Sequence, residues 1–72
     1  MNKNIIKLAK ELGYKAGHKA NVKLVVDGTK YLEHRQAALD KNTEYSNNTQ
    51  FISSFNLAYE MGISDKKLEA FA

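Results

Sequence analysis

The sequence predicts a single α+β domain over residues 1–72, mostly helical with three to four helices and one antiparallel β-hairpin at residues 22–33. Three observations predict it. Apolar residues recur with a helical period over residues 4–12 and again from Thr49 onward. Between those stretches, β-branched residues and leucine flank Asp27-Gly28, a dipeptide that tolerates the positive φ angles of a type I′ turn. Finally, 72 residues without an internal repeat or a low-complexity linker leave room for one core only.

Taken in order, Ile5, Leu8, Ala9 and Leu12 fall at i, i+3, i+4 and i+7, which predicts an amphipathic helix with Gly13 as its stop. Residues 14–21 are basic, contain Gly17 and lack a period, so they read as a loop or a broken helical turn. In the hairpin, the Asp27-Gly28 turn sets Val26 opposite Thr29, Val25 opposite Lys30 and Leu24 opposite Tyr31. One face then carries Val22, Leu24, Val26 and Tyr31, and it must pack on helices because an isolated hairpin is marginal in water. His34 to Leu39 suits a short helix, and the asparagine-rich residues 40–48 read as the longest connection. From Thr49 the helical period returns. Phe51, Ile52, Phe55, Ala58 and Tyr59 form one stripe, Leu57 and Met61 a second, and Asn47 with Gln50 resembles a capping pair. At Gly62 the pattern predicts a break: a glycine able to take positive φ, then Ser64 as cap and Asp65 in the first turn of a last short helix.

That last stretch, Leu-Ala-x-x-Met-Gly-Ile-Ser-x-x-x-Leu-x-x-Phe over residues 57–71, resembles the helix-turn-helix of DNA-binding proteins. The resemblance implies that Ser64, Asp65, Lys66, Lys67 and Glu69 begin a helix that reads base edges in the major groove, a task that serine and lysine suit better than the acids. The order of short helix, hairpin and later helices is also similar to the winged-helix domains of the MerR type. On that scheme residues 8–13 are the first helix, 14–21 the reading element, 22–33 the wing and 61–68 a later helix pair. Lys10, Lys15, His18, Lys19, Lys23 and Lys30 are then placed along phosphates.

Charge is consistent with a polyanion or an acidic partner. The net charge is +3, but residues 1–35 hold Lys3, Lys7, Lys10, Lys15, Lys19, Lys23, Lys30 and Arg35 against Glu11, Asp27 and Glu33, a balance of +5. The remaining residues hold Lys41, Lys66 and Lys67 against Asp40, Glu44, Glu60, Asp65 and Glu69, a balance of −2. A solvated lysine surface on an ordinary small protein explains the same counts. Catalytic chemistry has little to build on. There is no cysteine, His18 and His34 stand in no metal-binding spacing, and no glycine-rich phosphate loop or nucleophile elbow is present. Residues 40–51 begin like a calcium loop but carry Tyr45 where the glycine belongs and Phe51 where the bidentate glutamate belongs. No cofactor and no metal are expected. Lys7 and Lys10 interrupt the first apolar residues too early for a signal peptide, and no apolar run reaches the ~18 residues of a membrane span. The expectation is a cytoplasmic protein without a membrane partner.

The function these readings favour is a small non-enzymatic DNA-binding regulator. It would use Lys7, Lys10, Lys15, His18, Lys19, Lys23 and Lys30 on the backbone, with Ser64, Lys66 and Lys67 near bases. The alternative is a phage- or mobile-element-type protein that binds and inhibits an acidic host protein. Dimerisation would help so short a chain. Exposed tyrosines, among Tyr14, Tyr31 and Tyr45, would favour the protein partner; lysines gathered on one face would favour DNA.

Overall fold

The computed structural model describes residues 2–20 and 30–71, with side chains over 4–20 and 32–69. Three α-helices and one short turn of 3-10 helix make up these residues: α1 (Asn2–His18), α2 (Lys30–Asp40), the turn Thr43–Tyr45, and α3 (Thr49–Phe71).

Small residues bring α1 and α3 together. Ala9, Gly13 and Gly17 run down one side of α1, Ala20 follows just past its end, and all four are buried. A Cβ at Gly13 would lie inside 3.0 Å of the Phe55 carbonyl oxygen, and one at Gly17 would meet the Tyr59 carbonyl oxygen equally closely. The interlock is mutual. Gly62 of α3 enters the α1 side, where a Cβ would sit 2.5 Å from the Tyr14 carbonyl oxygen and 2.7 Å from the His18 nitrogen. Because Gly13 faces Phe55 and Gly17 faces Tyr59, residue numbers rise together along the contact and the two helices run parallel. Small residues four apart let backbones approach closely, and large residues on either side fill the remaining space. Phe51, Phe55 and Tyr59, all fully buried, supply that volume, joined by Ile63 and half-buried Ile5, Leu8 and Leu12.

The return path is α2, which lies antiparallel to α3: His34 in its first half stands at Tyr59, while Leu39 near its end shares a groove with Ile52. His34 Nδ1 and the Tyr59 hydroxyl share a hydrogen bond of 2.6 Å, and Arg35 Nη1 reaches Glu60 Oε1 at 3.1 Å. Leu39 is the buried apolar contribution of α2, with Ala38 half-buried beside it. The Asn42 side-chain amide donates to the Ala38 carbonyl, which satisfies an orphan acceptor at the end of α2. Tyr45 then stacks on Phe51, ring centroids 4.5 Å apart, closing the lower end of the core. At the start of α3 the Phe51 N–H donates to Asn48 Oδ1 at 3.0 Å, an N-cap bond.

The sequence-based expectations need five corrections. Every regular element among the described residues is a helix and none is a strand, so the fold is all-α rather than α+β. The predicted hairpin at 22–33 fails at its return strand, because α2 begins at Lys30 and takes Tyr31, Leu32 and Glu33 into a helix; residues 22–29 lie outside the described residues. Gly13 does not stop α1, which continues over most of the stretch read as a loop to His18. Neither does Gly62 break α3: no described glycine has positive φ, and the helix passes through Gly62 and Ser64 without a turn. The cap of α3 is Asn48 bonding to Phe51, one residue later than the Asn47–Gln50 pair. The predicted wing and the predicted helix-turn-helix corner therefore have no counterpart in the described backbone.

Candidate functional site

The residues expected on a nucleic-acid face do not converge. Lys7, Lys10, Lys15 and Lys19 are all exposed on or just past α1. At about 100° per residue, Lys7, Lys10 and Lys15 fan over roughly 140° of the α1 circumference, and Lys19 lies past the end of the helix. On α3, Ser64 and Lys67 are exposed and Lys66 is half-buried, and Ser64 and Lys66 take nearly opposite sides of the helix. They sit within a continuous helix, so they do not form the freely presented first turn of a reading helix. Lys30 opens α2 with its side chain outside the described set, and Lys23 lies outside the described residues altogether.

His18 is occupied. Its Nε2 meets Glu69 Oε2 across the α1–α3 seam, and its ring stacks on Tyr14 with centroids 5.7 Å apart. The Tyr14 hydroxyl in turn donates to Asp65 Oδ2 at 2.5 Å. That hydrogen bond to a carboxylate is the main cause of a raised Tyr14 pKa, followed by desolvation and by the negative charges of Asp65 and Glu69. The two cross-helix bonds form a short polar ladder that fixes the register of α1 against α3. Among the described residues no three or more histidine, aspartate or glutamate side chains stand together where a metal could be held.

What the fold does assemble is apolar. Leu57, Met61 and Leu68 of α3 are 63%, 58% and 67% exposed, the largest exposures among the bulky apolar residues described. With exposed Ser64 they follow a 4-3-4 spacing that keeps all four within about 60° of the helix circumference. Along one edge of this strip runs a groove of about 260 Å³, lined by Lys10 and Tyr14 of α1 and Leu57, Ala58 and Met61 of α3. His18 and Glu69 do not line it.

Each acid near the strip meets a partner of its own chain through one carboxylate oxygen and leaves the other for a further contact: Glu60 Oε1 takes Arg35, Asp65 Oδ2 takes Tyr14 and Glu69 Oε2 takes His18. Among the described residues no ion pair engages Lys7 or Lys10. Leu57 and Met61, which the sequence marks as a second stripe, are exposed in the fold. Placing a break at Gly62 separated Leu68 from them; the unbroken 4-3-4 spacing was the signal that joins the three. Tyr45 belongs to the core rather than to a surface cluster, while Tyr14 stands at the groove.

No protein-family model, no curated protein and no solved structure matches this chain. No helix among the described residues is long and apolar enough to cross a membrane.

Proposed function

We propose that this chain is a non-catalytic binding protein of the cytoplasm that docks another protein on the exposed strip of α3 and the groove beside it. One observation carries the reading. Three large apolar side chains, each more than half exposed, share one helix face beside a groove whose edge holds Lys10, a lysine without an acidic partner among the described residues. Such a patch costs solubility unless something covers it, and apolar patches rimmed by charge are characteristic of interaction surfaces. The complementary ligand is an amphipathic protein helix with an apolar stripe and acidic groups along the edge that meets Lys10. This is the chemistry of the acidic protein partner, without reference to which protein provides it. DNA binding has less support, because the residues expected near bases, Ser64, Lys66 and Lys67, sit inside a continuous helix with no reading turn ahead of them.

Photocrosslinking tests the reading. A benzophenone side chain introduced at position 61 should form protein adducts in cells that express the chain. The adducts should survive nuclease and disappear when Leu57→Asp is added. The same probe at the exposed Ala37 of α2 should form none. An absence of adducts at position 61, together with DNA binding whose affinity falls with a log–log salt slope near −0.9 per phosphate, would return the chain to the nucleic-acid class.

A further inference from the structure

The helix that the groove calls for, apolar along one face and acidic along its edge, is present in the chain itself. Resting on the docking reading above, we infer that the strip of α3 is covered by the same strip of a second copy, in an antiparallel, two-fold symmetric homodimer. The register follows from the 4-3-4 spacing. With the axis between Met61 and Ser64, Leu57 packs on Leu68 of the second copy and Met61 on its Ser64, which makes a short two-stranded seam.

Both edges of that seam are complementary in charge. Glu60 and Lys67 lie on the edge away from α1, seven residues apart, and antiparallel pairing sets Glu60 opposite Lys67 of the second copy, twice by symmetry. On the other edge Lys10, which lines the groove beside Leu57, faces the level of Leu68 in the second copy and so its Asp65 and Glu69. A parallel pair would instead set Glu60 towards Asp65, like charge against like, and would align the two helix dipoles. Size argues the same way. A 72-residue chain buries only about 60% of its unfolded surface, and pairing adds apolar burial at the side where most is exposed.

Sedimentation equilibrium on the purified full chain, from low micromolar to near-millimolar concentration, tests the inference. A reversible dimer is expected. Met61→Glu, at a side chain already exposed in one copy, should leave the far-UV circular dichroism unchanged and weaken the dimer about a hundredfold or more, because each copy then buries an unpaired charge. Lys67→Glu, at a side chain with no partner among the described residues of its own chain, should weaken it about tenfold. Orientation is read separately, since the chain has no cysteine of its own. Mixed under oxidising conditions, a Leu57→Cys chain and a Leu68→Cys chain should give the mixed disulfide in preference to either self-disulfide. A monomer at every concentration, a dimer indifferent to Met61→Glu, or preferential self-disulfides would each overturn the inference. If the chain is monomeric but the probe at position 61 still captures a different protein, only the second copy is wrong as the partner. If neither is found, the docking reading falls with it.

Discussion

Gly17→Ala offers the sharpest test of how α1 and α3 hold together. In an exposed helix this substitution helps, because alanine is about 1 kcal/mol better than glycine in a helix interior. Here the added methyl would lie inside 3.0 Å of the Tyr59 carbonyl oxygen and 3.2 Å from the Ile63 nitrogen. Both are backbone atoms of a straight helix, so no rotamer change relieves the overlap. The helices must separate, and the separation is shared by Phe55, Tyr59 and Ile63 along the seam. Overpacking of this kind costs about 1–3 kcal/mol, and losing close contact over neighbouring buried rings puts the net effect at the upper end even after the helix-propensity gain. In a domain of this length each kcal/mol moves the melting temperature by about 4–8 °C, so a fall of roughly 8–20 °C is expected. The assay is thermal unfolding followed by far-UV circular dichroism at one fixed chain concentration. Ala37→Gly on the exposed face of α2 calibrates the ordinary propensity cost. A Gly17→Ala protein that melts at the same temperature or higher would refute the close parallel contact.

Other outcomes follow from the same geometry. Tyr59→Phe keeps the buried ring but removes the hydroxyl that bonds His34, and should cost about 1 kcal/mol in urea unfolding, whereas Tyr59→Ala should cost about 3–5 kcal/mol or prevent folding. Asn48→Ala removes the acceptor of the Phe51 N–H and should lower stability by about 1 kcal/mol, while Asn47→Ala should change little; equal effects would contradict the cap position. Tyr14 has a phenol pKa raised above 10.0 by its bond to Asp65. The stabilisation from that bond is therefore complete below the unfolded-state value and disappears as pH climbs through the higher folded-state one. Ultraviolet titration of the folded chain against Tyr14→Phe should show the missing tyrosine as a late-ionising one; loss of an ordinary or early-ionising tyrosine would contradict the Tyr14–Asp65 bond.

Periodicity determined much of this protein before any coordinates. Ile5, Leu8, Ala9 and Leu12 marked α1, His34 to Leu39 marked the middle of α2, and Phe51, Phe55, Ala58 and Tyr59 marked the buried face of α3. These positions are legible because burial on one side of a helix repeats every three to four residues, whatever the partner. Tertiary structure alone decided what the glycines mean. Locally, Gly13 and Gly62 are a helix stop and a hinge, because glycine is a poor helix former and tolerates positive φ. In the fold they are contact points, where the missing Cβ lets two backbones approach, and the packing gained along the seam outweighs the local propensity. The Asp27-Gly28 turn signal met the same limit: α2 starts at Lys30 and leaves the predicted first strand without its return strand. Exposure of Leu57, Met61 and Leu68 was likewise undecidable from sequence, since an apolar stripe reads the same whether its cover is another part of the chain or another molecule.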